Sequence, residues 1–239
     1  MQLARVERST AADEVYDQLV QGILGGGVPV GDRLPSERTL ADTLGVSRPV
    51  VREALKRLAH VGLVRIRHGG STTVVDYLRT AGPDLLGSLL LDADGNLDLG
   101  VARSLVEARS QIGPVVAAAA AADATDGDCD AIEALVADLR AAGDVADRQR
   151  IALDFWDAVV DASHNVVHRL LFNTLRRAYE PVMAALTIVM EAEVSDVEGY
   201  GRVAAAIRAR DEAAATGAVT DLVDHGARAT VAVIDRLRA

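Results

Sequence analysis

Aromatic side chains make up only 3% of this 239-residue chain, cysteine occurs once, at Cys129, and no apolar stretch is long. Each scarcity excludes something. Few aromatics beside abundant alanine favour closely packed helices over a strand-rich sandwich. A lone cysteine closes no internal disulfide and offers no metal-ligand pair, which agrees with a reducing compartment and with an inert helix position. The longest apolar run, residues 114–122, falls well short of the ~20 residues that span a bilayer. Residues 1–6 lack a basic segment followed by an apolar stretch, so no leader is read there. A soluble, cytoplasmic chain without membrane attachment is expected, of a length that suits two domains.

The net charge of −10 argues against a nucleic-acid partner only until its distribution is considered. Residues 1–76 carry 10 Lys+Arg against 9 Asp+Glu, which leaves 15 against 26 for the remainder. Within the first part, residues 47–68 hold Arg48, Arg52, Lys56, Arg57, Arg65 and Arg67 against the single acid Glu53. The acidity belongs to the second part, and the first has a local basic face.

Periodicity divides the chain into a mainly α architecture. Val15, Leu19 and Ile23 form an apolar stripe that Gly25-Gly26-Gly27 ends. Ser36 is placed to cap a short helix with Leu40, Ala41 and Leu44 inward, stopped by Gly45. Ser47 caps a third helix, with Pro49 in its first turn and Val51, Ala54, Leu55 and Leu58 at helical spacing. Val64, Ile66 and Val74 then alternate around His68-Gly69-Gly70, the pattern of a β-hairpin. Residues 77–97 read as a linker with a short helical piece at 85–91, and from residue 98 onward the pattern predicts helices over 98–124, 126–142, 144–163, 165–190, 195–210 and 211–238. The last carries Val219, Leu222, Val223, Thr230, Val233, Ile234 and Leu237 on one side, as a bundle helix does. The expected domains are thus a winged helix-turn-helix module over 1–76 and an antiparallel α-helical bundle over 98–239.

Two short helices joined at a glycine expose the amino-terminal end of the second to a major groove. Arg48, Arg52 and Lys56 stand at i, i+4, i+8 on the side away from the apolar stripe. They present cationic groups to guanine O6/N7 or to phosphates, to which Ser47 and the helix terminus add. A basic helix face alone is often mere solvation. Here helix, helix, turn, basic helix and glycine-tipped basic hairpin follow in one consistent order.

The run from Gly31 to Arg38, with Leu40-Ala41, then Leu44 to Arg48, and Val51 to Leu55, resembles the signature of GntR-family repressors over residues 9–76. The resemblance implies that Arg38, Ser47, Arg48, Pro49, Val50, Arg52, His68 and Gly69 occupy DNA-contacting positions. His68-Gly69 would form a wing tip that reaches the minor groove, where glycine permits close backbone approach. Val50 departs from the polar residue often found there and touches a thymine methyl or nothing. The resemblance further implies a homodimer on a pseudo-palindromic operator.

Fewer residues link the second part to the FadR-like effector domain: Leu105 to Arg109, the turn Ala162-Ser163-His164-Asn165, and Ala206-Ile207 with Asp211. Many such domains hold a divalent metal with one Asp and three His. The corresponding positions here are Ala152, Trp156, Tyr200 and His225, so no metal and no other cofactor is expected. What remains is an effector pocket lined by Trp156, Tyr179 and Tyr200, with Arg109 and His225 for an anionic group. A fatty acid or acyl-CoA suits such walls. Trp156 packed with Leu153, Val159 and Val160 also reads as ordinary core, and His225 as a satisfied histidine. Asp154, Asp157 and Asp161 read as a solvated face.

Two other classes remain open. An architectural protein would contact phosphates alone and would not tell operator from random DNA. An enzymatic bundle with an accessory winged helix needs a nucleophile-base pair or a metal cluster. Of the five histidines only His164 and His168 stand at i, i+4, and no acid sits at the spacing of known zinc motifs, so no enzyme is expected.

Overall fold

The computed structural model describes residues 11–67, 71–91 and 96–238, without the side chains of 185, 188, 189, 225 and 229–238. The chain divides into two compact units, residues 1–98 and 99–239. The expected wing tip, His68 and Gly69, lies outside the described residues, as do the side chains of His225, Thr230, Val233, Ile234 and Leu237.

The first unit begins with α1 (Ala11–Leu24), α2 (Glu37–Leu44) and α3 (Arg48–His60). Their apolar stripes meet in one core that contains Val20, Ile23, Leu40, Val51, Leu55 and Leu58. Each fully buried Leu or Val there stabilises the unit by about 1.5–3 kcal/mol relative to exposure. Ser36 caps α2 by accepting the Thr39 N–H at 3.1 Å, and Gly45 ends it at φ 67°, a conformation that only a residue without Cβ adopts freely. The third helix starts differently from expectation, because Ser47 makes no capping bond with its side chain. The two N–H groups it would satisfy are missing or taken: Pro49 has none, and Val50 donates to the Ser47 carbonyl at 3.1 Å.

Strands β1 (Val64–Ile66) and β2 (Thr72–Val74) pair antiparallel, Val64 opposite Val74 and Ile66 opposite Thr72. On its other edge β2 is bonded by the segment between the first two helices. Leu34 N–H donates to Thr72 O and Val74 N–H to Asp32 O, both at 2.9 Å, with a bridge at Arg33. The sequence pattern predicts no strand there. Nor does the segment expected as a linker hang free: α4 (Tyr77–Thr80), a 3-10 turn (Pro83–Leu85) and α5 (Leu86–Leu90) bury Leu85 and Leu90, Leu85 in the core of this unit.

The second unit consists of α6 (Leu99–Asp123), α7 (Asp126–Ala141), α8 (Val145–Ala162), α9 (Val166–Tyr179), α10 (Thr187–Val194), α11 (Val197–Arg208) and α12 (Glu212–Arg238). The long helices α6 and α12 pack together, with Ala117, Ala120 and Ala121 fully buried on one and Val219 and Leu222 on the other. Caps match the expected starts: Thr125 and Asp128 form a reciprocal box on α7, Asp144 caps α8 and Asn165 caps α9. The helix predicted over 165–190 is broken. Pro181 lacks a donor and its ring clashes with the carbonyl one turn back, so Glu180–Leu186 becomes a 3-10 segment before α10 begins. Asp154, Asp157 and Asp161 are more than a solvated face. Arg176 and Arg169 of α9 bond them, Arg169 to Asp157 at 2.8 Å and Arg176 to Asp157 at 3.1 Å, and so tie α9 to α8.

Gly62 forms the turn from α3 to β1 at φ +80°, and a Cβ there would stand 2.6 Å from the Thr80 carbonyl oxygen of α4. Gly62→Ala is therefore expected to destabilise the first unit by about 2–4 kcal/mol in denaturant unfolding, through both the left-handed backbone and the overlap. Gly82→Ala, which meets nothing within 4 Å, serves as the control and should shift stability by less than about 0.5 kcal/mol.

Candidate functional site

The exposed edge of α3 carries Arg48, Pro49, Arg52 and Lys56, with Val50 half-buried and Ser47 exposed just before it; Arg38 is exposed on α2, and Arg65 and Arg67 on the hairpin. The missing cap leaves the Ser47 hydroxyl free of the helix it precedes. Arg57 does not belong to this face. It turns back to pair with Asp13 and lies over the Tyr16 ring at 4.3 Å, fastening α3 to α1.

Arg52 is not isolated either. Its Nε donates to Glu37 Oε1 at 3.1 Å and Oε2 at 3.2 Å, and its Nη2 to Oε2 at 2.8 Å. This bonding holds the Glu37 carboxyl below the usual carboxylate range, with the charges of Arg52 and Arg48 adding to it. Sequence reasoning passed over Glu37, because an acid in the first turn of a helix reads as a partner of the helix dipole.

Inside the bundle four of the residues expected to line an effector pocket converge on one that was not foreseen, Glu193 of α10. Arg109 of α6 pairs with it through both terminal nitrogens, Nη1 to Oε2 at 2.8 Å. The Tyr200 hydroxyl donates to Oε1 at 3.2 Å. The Arg109 guanidinium lies 5.4 Å from the Trp156 ring centroid, and Phe155 packs edge-on against both Trp156 and Tyr200, whose own centroids are 6.3 Å apart. Tyr179 stands near the same pair and accepts a bond from Gln149 Nε2 at 2.6 Å. Where α12 passes Glu193, Gly226 leaves no room for a Cβ, which would fall 2.4 Å from Oε2.

The electrostatics follow from burial. Glu193 is 1% exposed and the Arg109 side chain 32%. Burial works against the charge of Arg109, but the Glu193 carboxylate more than reverses this. Burial, with Glu193 adjacent, raises the Tyr200 hydroxyl well above its ordinary pKa, and burial also raises Tyr179. Tyr200 therefore stays protonated at neutral pH and offers no phenolate. Ala152 has no ligand atom, and indole nitrogen is a donor only, so the described side chains at the implied metal positions do not suit a metal ion. Among the described residues no group of three or more His, Cys, Asp or Glu could hold one. His164 and His168, adjacent on a helix face in the sequence pattern, go separate ways: His164 Nε2 meets Asp128 and His168 Nδ1 meets Ser163 Oγ, each at 3.1 Å.

Breaking the buried pair from one side leaves a carboxylate without a counter-ion. Arg109→Met is expected to destabilise the bundle by about 3–5 kcal/mol in denaturant unfolding, and Arg109→Met with Glu193→Met to recover most of that loss. Equal stability of the single variant and the wild type would show that solvent, not Arg109, balances Glu193.

Among the described residues no helix is long and apolar enough to cross a membrane. A model of bacterial regulatory proteins of the gntR family matches residues 11–74, and a model of the FCD domain matches residues 104–225. The chain is 44% identical over 237 residues to the HTH-type transcriptional regulator Mce2R of Mycobacterium tuberculosis, which takes in 98% of this chain and 97% of that protein. A stretch of 98 residues, 41% of this chain and 34% of the relative, is 37% identical to the fatty acid metabolism regulator protein of Vibrio vulnificus. A solved structure titled for Lar, which controls expression of the Listeria monocytogenes agr system, matches with a TM-score of 0.62 at 14% identity, covering 95% of this chain and 100% of that one, a likeness of fold alone. With an exposed basic edge on α3 in the first unit and helices throughout the described second unit, the chain belongs to the GntR family of bacterial regulatory proteins, its helix-turn-helix module followed by an FCD domain.

Proposed function

We propose that this regulator is a ligand-responsive homodimeric repressor. Residues 1–76 read a pseudo-palindromic operator, and residues 98–239 bind the effector and dimerise. The observation that supports operator reading best is the exposed edge of α3, where Arg48, Arg52 and the uncapped Ser47 hydroxyl stand together on a rigid helix. Arg48 and Arg52 read guanine edges, Ser47 and Arg38 contact phosphates, Pro49 and Val50 lie against the groove wall, and His68 and Gly69 enter the minor groove. A dimer supplies two half-sites and the affinity that one module lacks.

In the bundle Arg109, Trp156, Tyr179, Tyr200 and His225 form the effector site, without metal. A fatty acid or acyl-CoA is the effector class we favour, supported by the Trp156 and Tyr200 rings beside one guanidinium. Because Glu193 already takes one hydrogen from each terminal nitrogen of Arg109, an acidic head group competes with it for that guanidinium, and we propose that it displaces Glu193. Such a displacement gives the ligand a differential affinity for two states of the bundle, without which it could shift nothing.

Selection of bound sequences from random duplex DNA tests the first part. Wild type should enrich a pseudo-palindrome, and Arg48→Ala or Arg52→Ala should each weaken discrimination at the contacted base by about 1–3 kcal/mol. Salt-sensitive binding without an enriched sequence would make the protein architectural instead. For the second part, operator affinity is measured with and without long-chain acyl-CoA or free fatty acid. A loss of affinity that Arg109→Met abolishes is expected, and no response to any acyl-CoA or free fatty acid removes this effector class. One equivalent of divalent metal per chain, after purification without chelator, would overturn the metal-free assignment.

A further inference from the structure

Glu37 raises a question that the DNA-reading role of α3 does not answer: why an acid is bonded to an arginine of the reading edge. The pair does not hold the module together. Both side chains are accessible, Arg52 at 58% and Glu37 at 36%, and ion pairs at such exposure contribute little to stability. The contact between α2 and α3 rests instead on Leu40, Ala41, Val51 and Leu55 in the core.

The geometry of the pair is specific. A guanidinium has five N–H groups, one on Nε and two on each terminal nitrogen. Glu37 takes the edge formed by Nε and Nη2. What remains is the end formed by Nη1 and the second hydrogen of Nη2, two parallel donors spaced for O6 and N7 of a guanine. The bonded carboxylate thus fixes the plane of the guanidinium and leaves one fork free to read a base. It also changes the charge that DNA meets. Glu37 is held ionised by Arg52 and lies in the field of Arg48 as well, so the three side chains together present one positive charge instead of two.

We propose that Glu37 is a positioning residue that sets operator specificity: it aims the free fork of Arg52 at a guanine and withholds that charge from the phosphate backbone. This rests on α3 being the DNA-reading helix. Without Glu37 the long Arg52 side chain is free to swing to the nearest phosphates, which are the same in every sequence. Discrimination falls while affinity for arbitrary DNA rises. The carboxylate also repels the backbone directly, a penalty that a correctly placed guanine offsets and a random site does not.

The test uses the full chain with two duplexes of equal length, one enriched by wild type in selection and one of random sequence, over a series of salt concentrations. Glu37→Ala should bind random DNA more tightly and lower the ratio of the two affinities about tenfold, a change of the size that one base contact gives. The slope of log affinity against log salt should steepen by about 1, as one more phosphate is neutralised. Glu37→Asp, which keeps the charge, should restore part of the ratio, and Glu37→Gln should not restore the shallower slope. In an Arg52→Ala background Glu37→Ala should leave the ratio unchanged. A structural role would instead lower the melting temperature and reduce both affinities together. That pattern, or an unchanged ratio and slope in Glu37→Ala, overturns the proposal. Failure of the underlying reading looks different: wild type itself would prefer neither duplex, or Arg52→Ala would discriminate as well as wild type, and either result removes the role of Glu37 with it.

Discussion

Close approach of α6 and α12 is the constraint on which the bundle depends. Gly113 lets the two backbones come near, since an added Cβ there would stand 3.3 Å from Val219, and alanine at the fully buried positions 117, 120 and 121 keeps the rest of α6 slim. The same approach fixes the interior polar group. Glu193 is reached from α6 by Arg109, from α11 by Tyr200, and is bordered on α12 by the bare backbone of Gly226. A larger residue along the alanine face would separate the helices and pull Arg109 away from the carboxylate it neutralises.

The two units use the same chemistry, an arginine bonded twice to a glutamate, to opposite ends. Between Arg52 and Glu37 the pair stands in water, where its energy is small and its geometry is what matters. Between Arg109 and Glu193 the carboxylate is withdrawn from water, so the pair is obligatory once either member is present. A surface pair can orient a side chain without deciding whether its module folds. An interior pair yields only to a ligand that replaces what it removes.

Much of the helix-turn-helix module was legible in the sequence because its signals are local. Ser36 and Gly45 bound a helix by their own backbone preferences, and the stripe Val51, Ala54, Leu55 and Leu58 gives the buried face of the next. The pairs between elements were not legible. Arg57 looked like part of the basic face because nothing in its neighbourhood in the chain places Asp13 and Tyr16 beside it. Glu193 sits in a short helix beside a second acid, Glu191, so nothing local marks it out, and its partner is 84 residues away. The two prolines show the limit of local rules. Pro114 lies within α6, which runs through it unbroken to Asp123, whereas Pro181 ends a helix. Of the candidate effector residues, Arg109, Trp156 and Tyr200 were found from a family pattern; the carboxylate that organises them was outside it.

The seclusion of Glu193 also bears on how this domain can change over generations. A lineage that alters position 109 or position 193 alone passes through a chain with an unmatched charge in its interior. The two positions are therefore expected to drift together, or by way of an uncharged amide at 193 that keeps the shape and part of the bonding. A neighbouring site such as Tyr200, whose hydroxyl shares the same carboxylate oxygen, would be drawn into the same exchange. Diversification of ligand preference in such a bundle would then proceed in jumps of two or three residues, with the DNA-reading module free to vary one residue at a time.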